Sequence, residues 1–237
     1  MSDLASQVAA RIGAKNVVSD PDFLAPHLVE WRGRYSGATP FAAYPATTAE
    51  VADIVKLCVA AGAKITPQGG NTGLVGAQLP HGEILLSLKR MNRVREVDPA
   101  DYTITVEAGC VLADVQKAAL EADRFFPLSL GAEGSCVIGG NIATNAGGNQ
   151  VLHYGMTREQ VLGLEVVLAD GRVLSSMNRM LKNNAGYDLK HLFIGSEGTL
   201  GIITAATLKL VPLPQAQLTA WAAVPSLAAA LALLALA

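Results

Sequence analysis

The 237-residue chain is 51% hydrophobic and 16% charged, with a mean hydropathy of +0.33, which excludes a disordered chain and allows one large domain or two small ones. Eighteen Lys plus Arg stand against twenty Asp plus Glu, a net charge of −2, so the basic field that nucleic acid requires is missing and nucleic acid is set aside as a partner. Three widely spaced cysteines, Cys58, Cys110 and Cys136, with no CxxC pair, argue against a disulfide framework or a zinc ribbon and point to a reducing, cytoplasmic location.

In chain order, Leu4, Val8 and Ile12 recur at helical spacing and predict a short amphipathic helix, with no basic-then-apolar leader. Thr47-Thr48-Ala49-Glu50 is a capping box, Val51, Ile54, Val55, Cys58 and Val59 share one apolar face, and Gly62 stands where a helix ends, so Thr48 to Ala61 is a helix. AKITPQGG and EILLSLKRM read as strands of a βαβ-like lobe reaching about Met91. Arg93–Val97 and Tyr102–Ala108 form a hairpin about Asp98-Pro99, Val111–Asp123 is helical, and Val161–Leu168 with Arg172–Ser175 form a second hairpin about Ala169-Asp170-Gly171. Asp188–Phe193 is a short helix and Leu200–Val211 a long strand, which makes the chain α+β with a more antiparallel second lobe over about 92–212. From Leu218 to Ala237 there is no charge, but Pro225 breaks the run. LTAWAAV before it reads as a strand and Ser226 can cap a helix after it, so a buried strand and helix are expected there rather than a membrane span.

Glycine is concentrated in three clusters. Pro67-Gln68-Gly69-Gly70-Asn71-Thr72-Gly73-Leu74-Val75-Gly76 follows a strand directly, and without Cβ atoms on its glycines its backbone N–H groups can converge on one anion. The second runs from Leu130-Gly131-Ala132-Glu133-Gly134-Ser135 through Ile138-Gly139-Gly140-Asn141 to Thr144-Asn145 and Gly147, with neutral hydrogen-bonding side chains among its glycines. The third, Glu197-Gly198 with Gly201-Ile202, opens the final strand. No GxxxxGK[ST], no GxG, no HExxH and no GxSxG occurs, which argues against Walker-loop, Rossmann, metallohydrolase and serine-hydrolase chemistry. A pyrophosphate held by neutral dipoles, on a cofactor whose chemistry takes place elsewhere, fits what remains.

At these residues the sequence resembles the flavoproteins whose FAD domain is named after vanillyl-alcohol oxidase and p-cresol methylhydroxylase, and among them the dehydrogenases of D-lactate, glycolate or D-2-hydroxyglutarate. The resemblance runs from Trp31-Arg32-Gly33-Arg34 through PQGGNTGLVG, PLSLGAEGSCVIGGNIATNAGG and LKNNAGYDLKHLFIGSEGTLGIIT to about Pro214. It implies a 1–36 N-terminal helical segment, a two-lobed FAD-binding domain over 37–214, and, at 215–237, the start of a truncated substrate domain.

Gly69, Gly70 and Gly73, with Ser135, Ile138, Gly139, Gly140 and Asn141, would then hold the FAD pyrophosphate. Pro67, Gln68, Asn71, Thr72, Leu74, Leu130, Gly131, Ala132 and Gly134 would flank it. Thr144, Asn145 and Gly147 would face the isoalloxazine, and Glu197, Gly198, Gly201 and Ile202 the adenosine and ring system. Members that attach FAD covalently through the first loop carry His after its Gly-Gly pair; Asn71 stands there instead, which implies non-covalent FAD. The implied activity is oxidation of a D-2-hydroxy acid, with electrons passing to an unidentified acceptor. The alternative is a non-catalytic FAD-carrying subunit or an inactive truncated fragment, and assembly into an oligomer is left open.

No catalytic residue and no metal ligand is assigned within the chain. His153 is read as structural, Arg158 as a salt-bridge partner and Cys136 as a packed thiol. Glu133 and Glu197 are possible acceptors for a cofactor hydroxyl, and Lys182-Asn183-Asn184 has no assigned role.

Overall fold

The computed structural model describes residues 2–216 and 218–236; Met1, Gln217 and Ala237, which fall within the two terminal segments read above, lie outside them. The order is α1 (Ser2–Ile12), β1 (Val17–Val18), α2 (Pro21–Leu24), β2 (Ala42–Ala43), α3 (Thr48–Ala60), β3 (Ile65–Gln68), β4 (Ile84–Ser87), β5 (Val94–Asp98), β6 (Thr103–Glu107), α4 (Leu112–Glu121) and β7 (Arg124–Phe125). It continues with α5 (Ile138–Ala143), α6 (Val151–Tyr154), α7 (Thr157–Gln160), β8 (Val161–Leu168), β9 (Val173–Ser176), α8 (Lys190–Phe193), β10 (Gly201–Lys209), β11 (Val211–Pro212) and α9 (Leu227–Leu236).

The α+β reading holds. One sheet has the order β1-β2-β4-β3, with β2 and β3 both parallel to β4, so α3 is the crossover between two parallel strands. The link from β3 to its parallel neighbour β4 contains no helix; residues 69–83 make the crossing as irregular chain, which marks a functional loop. The other sheet, β5-β6-β10-β8-β9, is antiparallel throughout, with β10 at its centre and the two expected hairpins on either side. Every residue of β10 but its last is buried.

Capping sets the edges of α3. Thr47 Oγ1 accepts from the Glu50 backbone N–H, the Glu50 carboxylate accepts from the Ala46 N–H, and Gly62 follows in the left-handed region at φ +63°. The expected stripe on α1, Leu4, Val8 and Ile12, is buried against α3; of the stripe expected on α3, Val51, Ile54, Val55 and Cys58 are buried, but Val59 is exposed. A single apolar core runs from α1 through Ile54 and Val55 of α3 to Ile104 and Leu164 of the second sheet, so the two lobes share it. A polar tie reinforces that junction: Glu165 of β8 accepts from Thr48 Oγ1 at 2.6 Å, Thr204 Oγ1 at 3.0 Å and Arg95 at 3.3 Å.

Two features differ from the sequence reading. IGGNIA is helical as α5 despite two glycines, because α5 lies against β6 and β10 and only a glycine fits at 139. A Cβ there would stand 2.7 Å from Ala108 Cβ and 3.0 Å from its carbonyl oxygen. LTAWAAV is not a strand: residues 218–224 pair with no described residue and are exposed, Trp221 almost completely, so their backbone groups are left to water rather than to a sheet. The helix expected beyond Pro225 is present as α9, with Ser226 Oγ accepting from the Ala229 N–H, but none of its described residues is buried, contrary to the buried helix expected. Among the described residues no helix is long and apolar enough to cross a membrane.

Candidate cofactor-binding cleft

The three glycine clusters meet. Gly70 touches the second cluster so closely that a Cβ would fall 2.0 Å from the Ser135 carbonyl oxygen, and a Cβ on Gly198 would fall 2.7 Å from Pro67 Cγ. Backbone bonds from Gly195 N–H to Ile142 O and from Glu197 N–H to Ala143 O fix the third cluster to the end of α5. Between them lies a cleft of about 1040 Å³, at the top of the roughly 300–1000 Å³ range of small-molecule and cofactor sites.

All the residues implied above line this cleft except Gly134, Ile138 and Asn145. Ile138 is part of the apolar core, and Asn145 uses its Oδ1 to accept from the Arg158 backbone N–H. Trp31, Arg32, Val75, Ala77, Gln78, Leu88, Cys136, Val137, Ala143, Ala146 and Ile203 line it as well. Val75, Cys136 and Val137 sit inside clusters already singled out; Trp31 and Arg32, which open the stretch of resemblance, arrive from a distant hairpin, and nothing in their sequence signals a place in the cleft.

The first loop is built to keep its shape and leave its amides open. Asn71, at φ +55°, donates from Nδ2 to Val29 O at 2.9 Å and Pro26 O at 3.1 Å, and its Oδ1 accepts from Gln78 Nε2 at 3.2 Å. Gln78 also donates to Gly73 O at 2.8 Å, bracing the loop from within. Below it Gln68, fully buried, donates to His27 O and Gln78 O and accepts from His27 Nδ1. His27 Nδ1 therefore carries the proton and Nε2 accepts from Tyr44 at 3.0 Å. Burial lowers the His27 pKa, only partly opposed by the Gln68 bond, so the ring stays neutral. Among the described residues no protein acceptor takes a backbone N–H from Gly70 through Ala77.

Such a run of free N–H dipoles over a neutral floor suits a polyanion. The one cation among the described lining residues is Arg32 and the one carboxylate is Glu197. Cys136 is buried, which raises its pKa and leaves it a packed thiol. These residues fit a dinucleotide whose diphosphate is gripped by backbone amides.

The remaining candidates lie elsewhere. His153 is exposed and meets Tyr154 edge-on at 4.4 Å, outside the cleft. Arg158 forms no salt bridge among the described residues, contrary to the sequence reading. Its guanidinium caps α8 by donating to His191 O and Ile194 O, orphan carbonyls at a helix end that need a donor. Glu133 Oε1 accepts from the Leu130 N–H and stays inside its own turn. Asn183 borders a second, smaller hollow of about 200 Å³ beside β8 and β9.

Fold and cleft together define a cofactor-binding domain. The family model described as "FAD binding domain" matches residues 39–176, and the chain belongs to that family, with FAD as its cofactor. It is 46% identical over 219 residues to the D-2-hydroxyglutarate dehydrogenase, mitochondrial, of Bos taurus, covering 92% of this chain and 40% of the relative. Among solved structures it is similar to an alkyldihydroxyacetonephosphate synthase, with a TM-score of 0.81 and 26% identity over 91% of this chain and 41% of that one. The fold is also that of p-cresol methylhydroxylase, with a TM-score of 0.77 and 24% identity over 91% of this chain and 44% of that one. The expected fold type is thereby established, and the chain spans about two fifths of the length of the curated relatives it matches.

The cytoplasmic expectation is overturned. The bovine relative and its zebrafish and rat counterparts are all named mitochondrial. Unpaired cysteines separate reducing from oxidising compartments and do not single out the cytosol among the former.

Proposed function

We propose that this chain is the FAD-carrying part of a dehydrogenase that oxidises D-2-hydroxy acids, D-2-hydroxyglutarate first among them, to 2-oxo acids. The observation that carries the reading is the row of backbone N–H groups from Gly70 to Ala77 that no described residue accepts, on a loop whose residues, Gly76 apart, line a cleft large enough for a dinucleotide. Bound FAD supplies the two-electron acceptor for hydride from the substrate Cα.

The chain's own residues bind and orient. Gly69, Gly70 and Gly73 hold the diphosphate together with Ser135, Gly139, Gly140 and Asn141, while Thr144 and Gly147 turn toward the ring. Glu197, Gly198, Gly201 and Ile202 close the opposite wall. Apolar side chains of Leu88, Leu130, Val137 and Ile203 exclude water from the floor. Attachment is non-covalent, because the Asn71 amide nitrogen, unlike an imidazole, is not nucleophilic enough to form a bond to the flavin methyl carbon, and its side chain is already engaged by three partners. The proton of the substrate hydroxyl is assigned to no residue of this chain.

The test is an absorption spectrum of the intact protein, taken before and after anaerobic addition of D-2-hydroxyglutarate, D-lactate and glycolate. Bleaching of the flavin band by D-2-hydroxyglutarate, with flavin released into the supernatant on acid precipitation, is the expected result. A colourless protein, bleaching only by an unrelated alcohol, or colour retained in the pellet would each refute a named part of the proposal.

A further inference from the structure

The cleft contains a feature that the glycine loops do not account for. Residues 29–36 form a hairpin, closed by a bridge between Val29 and Ser36 and by the Glu30 N–H donating to Tyr35 O. Glu30 is 1% exposed, and its two carboxylate oxygens accept from the Arg32 N–H at 2.6 Å and the Arg34 N–H at 2.7 Å. A buried carboxylate thus fixes the backbone of the tip. Those backbone bonds hold its carboxyl below the usual carboxylate range, so the tie persists at neutral pH.

The hairpin in turn rests on the first glycine loop. Asn71 donates to Val29 O, and the Tyr35 ring lies over Gly76, where a Cβ would stand 3.2 Å from Tyr35 Cγ. Trp31 and Arg32 at the tip therefore face the cleft beside the open amides. Among the described residues the Arg32 guanidinium makes no hydrogen bond or salt bridge; it lies 6.0 Å from the Trp31 ring centroid and its charge acts on the Glu30 carboxylate. A guanidinium at the cleft wall whose donors are not taken by the protein is placed to meet a ligand anion.

Resting on the FAD reading above, we infer that Arg32 is the cation that neutralises the cofactor's diphosphate. Backbone dipoles offer only partial positive charge to a group that carries two negative ones, whereas a guanidinium presents a full charge and a planar fork of donors. The wall contributed by Glu197 cannot take this role, and no lysine or histidine lines the cleft among the described residues. Because the tip is open to water, the attraction is screened by salt.

The sequence contains two tryptophans, Trp31 and Trp221, and Trp221 is exposed far from any packing, so a Trp221→Phe parent makes Trp31 the sole reporter. Flavin-free parent is titrated with FAD and with riboflavin, which lacks phosphate, at low and high salt. FAD quenching Trp31 fluorescence is expected. Arg32→Gln raises the FAD dissociation constant about tenfold, flattens its salt dependence and leaves riboflavin affinity unchanged, and Arg32→Lys recovers part of the loss.

FAD affinity within twofold of the parent in Arg32→Gln, or an equal loss for riboflavin, would overturn the assignment. Failure of the parent itself to bind FAD would instead bring down the cofactor reading, and this inference with it. An unchanged melting midpoint for Arg32→Gln without ligand verifies that the variant is folded.

Discussion

Gly70→Ala probes the meeting of the first two clusters. An added Cβ would lie 2.0 Å from the Ser135 carbonyl oxygen, 3.0 Å from its carbon and 3.2 Å from Cys136 Cα, all backbone atoms that cannot rotate away. Reaching ordinary contact requires the two loops to part by more than an ångström. Overpacking of this kind costs about 1–3 kcal/mol. At roughly 2 kcal/mol the melting midpoint of a chain this size falls by about 4–8 °C.

The functional loss should exceed the loss of stability, since the parted loops no longer aim their amides at one point. FAD affinity is expected to drop at least about a hundredfold, because a displacement of about 1 Å in a preorganised site has effects of that order. Gly131→Ala and Gly134→Ala are the controls: a Cβ at either meets nothing within 4 Å, and both should melt within about 0.5 kcal/mol of wild type. Differential scanning fluorimetry with FAD titration gives both readouts. Wild-type affinity and melting in Gly70→Ala would refute the apposition on which the cleft depends.

Three further outcomes follow from particular groups. Burial alone would raise the Glu107 carboxyl, but the Arg93 side chain and backbone N–H, with the charges of Arg93 and Arg95, overcome it and hold the group below the usual range. Its contribution is therefore complete above the unfolded value of about 4.3 and disappears as pH falls through the lower folded one. Glu107→Gln should cost about 1–3 kcal/mol in urea unfolding at pH 7, with the gap narrowing below about pH 4; a gap independent of pH argues against an ionic origin. Burial pushes the Cys58 and Cys110 thiols up to about 11 and also raises Cys136, so an aromatic disulfide reagent at pH 8 should label none of them until the chain is unfolded; rapid labelling of the native protein would contradict their packing. Asn71→Ala removes three hydrogen bonds and places a Cβ residue without side-chain support at φ +55°, so FAD affinity should fall about tenfold with the far-ultraviolet dichroism unchanged; equal affinity would show that the loop does not need its anchor.

Much of the fold was legible because local chemistry and tertiary role coincide in it. The Thr47–Glu50 box, the Leu4/Val8/Ile12 stripe and the hairpin about Asp98-Pro99 each specify a local shape that the core then uses unchanged. The α5 helix was not legible, since its two glycines lower helix propensity and Gly139 is explained only by the closeness of Ala108. LTAWAAV went the other way: apolar alternation suggests a strand, and pairing decides whether one forms. At the site, glycine clustering marked three loops whose convergence is a tertiary fact. Asn71 stood out in sequence as a substitute for histidine, and the structure gives it a second role as the anchor of its loop. Trp31 and Arg32 opened the stretch of resemblance, but their place in the cleft was not legible, because the buried Glu30 just before them, rather than any glycine pattern, positions them.

The central claim concerns amides, so amide resonances test it most directly. In a two-dimensional nitrogen–proton spectrum of the isotope-labelled chain, adding FAD should shift the signals of Gly70 through Ala77 downfield as their N–H groups acquire phosphate acceptors, while riboflavin leaves them near their starting positions. Shifts confined to other parts of the chain, or no change in these eight amides at saturating FAD, would contradict the account.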